Sequence, residues 1–538
     1  MFRLLTFACL LLAVPVLGVL GSWVALDAAS LAVLRHQLDT VLPEYALNSL
    51  LLAATVAVGV ALLGGATAAL VALFEFPLRR LFEWALLLPL AMPAYVLAYA
   101  ATDFLQFSGP LQSWLRALSG AQGALWPDVR SLWGAAAMFI LCLYPYVYLL
   151  TRAALSERAV PLMEAARLLG AGTLRRVREV ALPLARPALA AGVALALMET
   201  LADYGVGSYF GLATFTTGIY KAWLVMVDRD AAAQLASVLL VLVALLLWVE
   251  QRAQKRLRFA ATRSGAVHAA EARPIELHGG RAALAVATCA LPVLLGFVLP
   301  VAVLLRLVWL EAANAEFGLP LVRFAQWAWT SFQLAALAAL LATAIALALG
   351  FALRLRENVA LRTAARVVSL GYAVPGAVIA VGILLPVGWL QQQVPQAGTT
   401  ALVTGTIFGL VYAYLVRFSA VALQSVEAGY ARVPPSIDET ARMLGATRAR
   451  LFAELHAPLL RRAGLAAMLL VFVDVMKELP ATLVLRPFDS DTLAVVAYQL
   501  ARDERLGEAA LPSLAIVAVG LLPVLLLSRS LRPDASRD

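Results

Sequence analysis

The segment Glu164-Ala-Ala-Arg-Leu-Leu-Gly-Ala171 recurs 275 residues later as Glu439-Thr-Ala-Arg-Met-Leu-Gly-Ala446. A second match lies upstream, where Asn-Ser-Leu at 48–50 aligns with Thr-Ser-Phe at 330–332 at a shift of 282 residues. The change in shift needs only modest loop insertions. The chain is therefore predicted to contain two copies of one structural unit.

The composition predicts that these copies lie in a membrane. Of 538 residues, 62% are apolar and only 14% are charged, and the mean hydropathy is +0.86. Soluble domains carry roughly a quarter of charged residues. This composition excludes a set of soluble domains, a disordered chain and a fibrous repeat. The three cysteines lie in apolar runs without a short spacing, so we interpret them as packing residues.

Uncharged runs are long enough to be read as transmembrane helices, which need about 20 apolar residues each. The first run exceeds the apolar core of a secretory signal, which favours a retained span. The sequence predicts twelve spans, at 4–26, 45–74, 84–102, 131–151, 187–208, 231–249, 282–305, 324–353, two within 367–416, 464–485 and 509–528. Six spans separate the duplicated segments, so the repeats are expected to be parallel, as a fused pseudo-dimer that encloses a path between its halves.

The net charge of +9 comes from 42 basic against 33 acidic residues, and its distribution predicts the orientation. If alternate loops are assigned to one side of the membrane, that side holds 31 of the 42 basic residues. It is therefore expected to be cytoplasmic, with both termini inside. Membrane topology explains the charge, and a nucleic-acid partner is not expected.

The duplicated loops have a helical pattern. In the first, Pro161 opens a helix with Glu164 in its first turns, and Gly170 is expected to end it in the left-handed conformation that glycine adopts freely. A second short helix should then run until Pro183, and the second loop repeats this pattern as far as Pro458. Because the pattern occurs twice at fixed offsets, we interpret the loops as docking sites for two identical partner subunits rather than as amphipathic linkers.

The Glu-Ala-Ala-X3-Gly-Ala pattern, with Leu-Pro about a dozen residues later, resembles the coupling loop of permeases from binding-protein-dependent ABC importers. The resemblance covers both halves. It implies a type I importer fold, and loop helices that sit in a cleft of an ATPase and convert nucleotide-driven closure into alternating access. The coupling residues that it implies are Glu164, Ala166, Gly170, Ala171, Glu439, Ala441, Gly445 and Ala446. Thr440 and Ala457 depart from the pattern, so the two docking sites are expected to be unequal.

No phosphate-binding loop is present in the sequence, because none of the three lysines follows a glycine. The chain is therefore not expected to be an enzyme or to hold a cofactor. ATP and magnesium are expected to bind to a separate ATPase.

Two predicted spans carry acidic residues one helical turn apart, Glu199 with Asp203 and Asp474 with Glu478. Ionisable residues within a span usually face the bundle interior or an aqueous path. One interpretation is a cation-selective lining or gate, with Tyr204 and Lys477 as further candidates. The alternative is structural, since Lys477 can neutralise Asp474 and acids at helix ends can hold neighbouring backbone. Both interpretations stay open.

The string Glu-Thr-Leu-Ala-Asp-Tyr-Gly at 199–205 resembles the signature of ferric iron permeases, as do Phe-Thr-Thr-Gly-Ile-Tyr-Lys-Ala-Trp at 215–223 and Lys-Glu-Leu-Pro-Ala-Thr-Leu-Val-Leu-Arg-Pro-Phe at 477–488. Iron(III) is a hard cation that oxygen donors such as Tyr204 and Tyr209 suit. In such importers an external binding protein supplies most of the specificity. No metal site is assigned, and the four histidines are expected to lie in solvated loops, without the spacing of metal ligands.

The sequence thus predicts an all-α polytopic membrane protein of about twelve helices. Its predicted parts are a first permease repeat (1–250, coupling loop 152–186), a basic linker (251–281) and a second repeat (282–538, coupling loop 426–463). The predicted function is the permease subunit of an ATP-driven iron(III) importer in the bacterial inner membrane, with two ATPase subunits and a periplasmic or lipoprotein-type binding protein as partners. The alternatives are the same machine for thiamine, a polyamine or another small solute, and an ion-coupled secondary carrier.

Overall fold

The computed structural model describes residues 2–24, 27–156, 160–263, 275–314, 319–355 and 358–530. In these ranges the chain is almost entirely helical. Two strands of two residues each, β1 (Phe74–Glu75) and β2 (Ile275–Glu276), pair in parallel. The predicted all-α class is confirmed.

The α-helices, numbered in chain order, are α1 (Phe2–Leu11), α2 (Val14–Gly21), α3 (Ala28–Asp39), α4 (Leu42–Leu73), α5 (Arg79–Ala85), α6 (Ala94–Leu105), α7 (Pro110–Ser119), α8 (Leu132–Ala154), α9 (Val160–Leu168), α10 (Thr173–Arg176), α11 (Leu182–Ala202), α12 (Gly205–Tyr209), α13 (Phe215–Tyr220), α14 (Arg229–Arg263), α15 (Gly280–Val293), α16 (Leu299–Asn314), α17 (Leu321–Leu355), α18 (Val359–Leu370), α19 (Gly376–Gln393), α20 (Thr399–Thr404), α21 (Ile407–Tyr430), α22 (Pro435–Met443), α23 (Arg448–Arg450), α24 (Ala457–Met476), α25 (Pro480–Leu485), α26 (Leu493–Arg502) and α27 (Leu506–Ser530). Shorter 3₁₀ segments cover Leu88–Ala91, Gly371–Ala373 and Pro395–Ala397, and π-helical segments cover Val177–Ala181, Lys221–Val225, Leu294–Val298 and Leu451–His456.

The described residues contain nine helical segments that are long and apolar enough to cross a bilayer, or ten with the bent pair Arg79–Ala91 and Ala94–Ser119. The predicted count of twelve is therefore not confirmed. Two predicted spans are absent from this set. The described part of the run 4–26, which extends to residue 24, contains two short helices, because α2 begins at Val14 and Pro15 in its first turn cannot continue a preceding helix. The run 464–485 breaks after Met476, where α24 ends.

The chain folds into two compact units, each assembled from distant parts of the sequence. The first unit comprises Met1–Thr40, Gly218–Leu240 and Pro320–Val496, and the second comprises Val41–Thr217, Val241–Leu319 and Ala497–Asp538. Each unit draws on residues from both predicted repeats. The division at 250 and 282 describes the duplication of the sequence and stays a prediction, and linker residues 264–274 lie outside the described part.

In the second unit, three long helices approach closely because two of them present glycine at the contact. A Cβ on Gly64 of α4 would lie 2.7 Å from the Val147 Cβ, and one on Gly192 of α11 would lie 2.6 Å from the Val147 Cα. Val147 of α8 is fully buried. Such close approach through small residues is the usual way in which membrane helices associate.

In the first unit, α17, α21 and α24 pack against one another in the same way. The positions that match Gly64, Val147 and Gly192 by the sequence shifts are Ala346, Ala422 and Ala467, and all three are buried. One repeat thus places a larger residue between two glycines, and the other uses three alanines. Total volume is retained while its distribution changes, which packed cores tolerate.

A matched hydrogen bond supports the duplication. The Ser49 hydroxyl accepts a bond from the backbone N–H of Phe215 at 3.2 Å. The Ser331 hydroxyl, 282 positions later, accepts one from the backbone N–H of Leu493 at 2.8 Å. Both serines are buried. The two copies therefore share internal contacts as well as sequence similarity.

We expect Gly192→Leu to lower the stability of the protein by about 1–3 kcal/mol, because the new side chain meets the backbone of α8, which cannot move aside. Thermal unfolding of the purified chain in detergent measures this. Gly21→Leu is the matched control, since a Cβ there meets nothing within 4 Å. Equal unfolding temperatures for the two variants would contradict the close-packing account.

Candidate functional site

The first duplicated loop forms a helix that ends at a glycine in the left-handed region. Helix α9 ends at Leu168, and Gly170 has a φ of 82°. The Gly170 N–H donates to the Arg167 carbonyl at 2.9 Å, and the Ala171 N–H donates to the Ala166 carbonyl at 3.0 Å. This bond over five residues is the mark of a Schellman cap. The predicted glycine C-cap is confirmed.

The second loop ends its helix with the same pair of backbone hydrogen bonds. Helix α22 ends at Met443, and Gly445 has a φ of 83°. The Gly445 N–H donates to the Arg442 carbonyl at 2.9 Å, and the Ala446 N–H donates to the Ala441 carbonyl at 3.0 Å. Nothing lies within 4 Å of a Cβ built on either Gly170 or Gly445. Glycine is therefore favoured by the backbone angle and not by crowding.

The prediction that prolines stop the following helix is wrong. Pro183 lies in the first turn of α11, directly after the π-helical segment Val177–Ala181, and Pro458 lies in the first turn of α24, directly after Leu451–His456. A proline lacks the N–H that an α-helix needs and clashes with the carbonyl four residues earlier. The wider π turn before each proline relieves that clash, so the helix continues.

Each loop presents a pair of exposed apolar side chains next to its glycine. Leu168 and Leu169 are 80% and 88% exposed, and their equivalents Met443 and Leu444 are 89% and 83% exposed. Sequence reasoning did not single out these four residues. Their signal was available in the alignment, because large apolar residues occupy both positions in both copies. Exposed apolar groups next to a polar loop are typical of a protein contact.

Charged pairs on the loops are also duplicated. Arg175 bonds Glu179 at 2.9 Å, and Arg450 bonds Glu454 at 3.0 Å, one helical turn apart in each case. The Arg450 guanidinium lowers the pKa of the Glu454 carboxyl. In the first loop Glu164 also bonds Arg167 at 2.6 Å. These pairs are solvent-exposed, so they add little to stability and shape the charge of the loop surface.

Two of the four acidic residues predicted to line a path, Asp203 and Glu478, accept hydrogen bonds from backbone amides at the starts of short helices. Asp203 Oδ1 accepts a bond from the Val206 N–H at 2.8 Å, at the beginning of α12. At the equivalent position Glu478 Oε1 accepts from the Ala481 N–H at 2.9 Å, and Oε2 accepts from the Thr482 N–H at 3.0 Å, at the beginning of α25. A carboxylate at this position satisfies amides that would otherwise lack a partner. For Asp203 and Glu478 these bonds support the structural alternative, while a role of the four acids in a path stays a prediction.

Glu478 has further partners within the first unit. Arg417 Nη1 lies 3.4 Å from Glu478 Oε1, and the Thr482 hydroxyl donates to Oε2 at 2.6 Å. Asp474 lies one turn earlier and bonds Lys477 at 2.9 Å, as the sequence predicted. Sequence reasoning missed both partners. Arg417 lies 61 residues before Glu478, so spacing gave no signal for it, whereas Thr482 lies one helical turn after Glu478 and could have been found from its spacing.

In the second unit, Tyr204 meets a tyrosine from the far end of the chain. The Tyr498 hydroxyl lies 3.3 Å from that of Tyr204 and 2.7 Å from that of Ser208. Glu199 is half-buried on α11, one turn before Asp203. No group of three or more histidine, cysteine or acidic residues among the described residues is arranged to hold a metal ion.

We expect Glu478→Ala to destabilise the protein by about 3–5 kcal/mol. The substitution removes this carboxylate partner from the buried charge of Arg417, and it removes the acceptor of the first amides of α25. Glu478→Gln retains a carbonyl acceptor and should cost less. Thermal unfolding in detergent gives both values, with Asp474→Asn as the control. If Glu478→Gln unfolds like the parent protein but abolishes uptake, the carboxylate serves the path rather than the cap.

Comparison with known proteins relates the part of the chain that holds the first loop to a known family. Residues 61–259 match the family described as binding-protein-dependent transport system inner membrane component. The chain is 25% identical, over 90% of its own length and 89% of the relative's, to an Fe(3+)-transport system permease protein, FbpB 2, of Haemophilus influenzae.

Shorter relatives match part of the chain. The sulfate transport system permease protein CysT of Escherichia coli is 29% identical over 34% of this chain and 66% of its own length. The Salmonella choleraesuis protein PhnU, named as a 2-aminoethylphosphonate transport permease, is 28% identical over 36% of this chain and 70% of its own length. These relatives are transport permeases and not enzymes. Residues 61–259 are thus similar to the inner-membrane component of binding-protein-dependent transport systems, and the described residues contain the long apolar helices of a multi-pass membrane protein.

Proposed function

We propose that this chain is the permease subunit of an ATP-driven importer, and that α9 and α22 each dock one copy of a separate ATPase. The observation that carries the proposal is the pair of loops with the same glycine cap and the same exposed apolar pair. Such side chains gain contact area only when a partner covers them. Two equivalent loops match two equivalent partner subunits.

ATP hydrolysis is assigned to that partner, since the sequence has no phosphate-binding loop. In this proposal the chain holds no cofactor, and closure of the ATPase moves the loops and drives alternating access. The coupling residues are the eight inferred from the sequence pattern, extended by Leu168, Leu169, Met443 and Leu444. A secondary carrier coupled to an ion gradient would not need these matched surfaces.

The proposed location is the bacterial inner membrane, with both loops in the cytoplasm. The excess of basic residues on the loop side supports this orientation. An external solute-binding protein delivers the cargo to the opposite side.

The proposed cargo is iron(III). Its support is the relative named for Fe(3+) transport, because the alignment with it extends over 90% of this chain. A small anion is the second candidate, since relatives named for sulfate and for 2-aminoethylphosphonate align with about a third of the chain. Thiamine and polyamines stay open as further cargoes of the same machine.

Replacing Leu168 and Leu169 together with glutamate should abolish co-purification of the ATPase with the affinity-tagged permease, since charge replaces the apolar contact. The same change at Met443 and Leu444 should act alike. The matched control is Leu118→Glu, at a residue of α7 that is 67% exposed outside both loops. An ATPase retained by all of these variants would overturn the docking proposal.

The cargo is tested with the complex reconstituted in liposomes together with the binding protein from the same organism. Radioactive iron(III) citrate, sulfate and 2-aminoethylphosphonate are supplied in turn, and uptake that requires ATP is measured. We expect iron to accumulate and the two anions not to. Uptake of either anion without iron would replace the iron proposal, while leaving the docking proposal intact.

A further inference from the structure

The second coupling loop is attached to its own unit by four buried or half-buried polar side chains from four different elements. Arg354, near the end of α17, donates from Nε to Asp438 Oδ2 of α22 at 2.7 Å. His456, at the end of the π segment, lies with Nε2 3.1 Å from Asp438 Oδ1 and is buried, so the expectation of a solvated loop histidine is wrong at this position. The Tyr430 hydroxyl, at the end of α21, lies 3.0 Å from His456 Nδ1. We name Arg354, Tyr430, Asp438 and His456 the polar lock.

The protonation states in the lock are mutually consistent. Burial lowers the pKa of His456, and the positive charges of Arg354 and Arg442 act in the same direction, while the Asp438 carboxylate opposes them. The imidazole is therefore neutral at pH 7. Because a carboxylate can only accept, His456 Nε2 carries the proton and donates to Asp438, so Nδ1 accepts from the Tyr430 hydroxyl.

The lock also holds the chain just before the coupling helix. Arg354 Nη2 donates to the Val433 carbonyl at 2.8 Å, two residues before α22 begins. The Phe351 ring packs edge-on against His456, with their centroids 5.2 Å apart. Both carboxylate oxygens of Asp438 and both ring nitrogens of His456 thus have partners. A buried polar network with every member satisfied is rigid and specific in its geometry.

The first coupling loop is attached at the same positions by apolar side chains alone. The sequence shifts match Arg354 to Ala72, and they match Tyr430, Asp438 and His456 to Leu155, Met163 and Ala181. These four residues belong to one buried apolar cluster. Equivalent elements therefore meet in both units, but their contact chemistry is different.

The two attachments should differ mechanically. Hydrogen bonds weaken steeply when their angle departs from linear, so the lock restricts the rotation and sliding of α22. Apolar packing depends mainly on the area removed from water and has no preferred direction. The cluster around Met163 therefore holds α9 in place but restricts its orientation less.

We propose that Arg354, Tyr430, Asp438 and His456 are positioning residues that fix the orientation of the second coupling helix, so that the two coupling loops transmit the motion of the ATPase unequally. The functional part of this inference rests on the proposed function. The mechanical part concerns the permease alone.

The orientation is measured by distances between nitroxide spin labels on the full-length permease in lipid nanodiscs, without any ATPase. One pair joins Thr440 of α22 to Val359 of α18 within the first unit. The matched pair joins Ala165 of α9 to Arg80 of α5 within the second unit. All four positions are exposed, and the buried native cysteines are replaced by alanine. We expect a narrower distance distribution for the pair on the second loop.

The decisive variant copies the first loop's chemistry into the second, as Arg354→Ala, Tyr430→Leu, Asp438→Met and His456→Ala together. It removes all four polar side chains at once, so no side chain of the lock is left without its partner, and only the half-buried Val433 carbonyl loses a donor. We expect the distribution at Thr440 to broaden to the width seen at Ala165, while thermal unfolding stays close to that of the parent. A distribution that stays narrow in this variant overturns the proposal.

Asp438→Ala alone provides a second measurement in case the fourfold variant does not fold. It removes one hydrogen-bond partner from His456 and one from Arg354. Amide hydrogen exchange along α22 should therefore rise by about tenfold, which is the effect of losing a buried hydrogen-bond partner. Met163→Ala in the first loop is the matched control and should leave exchange along α22 unchanged. Unchanged exchange in Asp438→Ala contradicts the lock.

The functional readout is the number of cargo ions taken up per ATP hydrolysed by the complex that co-purifies with the permease, with radioactive iron(III) citrate as the probe. We expect the fourfold variant to hydrolyse ATP with a several-fold lower uptake per ATP. An unchanged ratio overturns unequal transmission. Failure of any ATPase to co-purify with the parent protein would instead count against the proposed function, and the label distances would still decide the lock.

Discussion

Backbone hydrogen bonding within the chain is the constraint on which this structure depends. A bilayer offers no water to N–H and C=O groups, so each must find a partner within the protein. This explains the helical character of the described chain. It also explains why the breaks in the helices carry polar side chains. Asp203 and Glu478 accept from amides at the starts of α12 and α25, and Ser49 and Ser331 accept from amides at equivalent places.

The duplication preserves backbone geometry more strictly than side-chain chemistry. Gly170 and Gly445 end their helices with the same angles and the same bonds. Around these caps, equivalent helices of the two copies are packed through different side chains. Val147 between two glycines corresponds to a small alanine cluster, and the apolar cluster around Met163 corresponds to the polar lock around Asp438. After duplication, each copy can change its side chains as long as volume and hydrogen bonding stay balanced.

Much of the candidate site could be predicted from the sequence because it is local. The glycine caps and the salt bridge between Asp474 and Lys477 involve residues within a few positions of one another, so spacing alone specifies them. The number of membrane spans was harder to predict from the sequence. Proline positions misled the reading of α11 and α24, because the π turns before Pro183 and Pro458 are a conformational choice that residue types alone do not reveal.

The sequence by itself determined the membrane class, the duplication and the two capped loops, because hydropathy, repetition and glycine conformation are properties of local stretches. Only the tertiary structure decided which distant residues meet. Arg417 reaches Glu478 and Tyr498 reaches Ser208 from far along the chain, and each compact unit combines segments from both halves of the sequence. The lock joins side chains from four elements, of which Arg354 lies 84 residues before Asp438. Such contacts depend on how helices pack, and packing is a property of the whole fold.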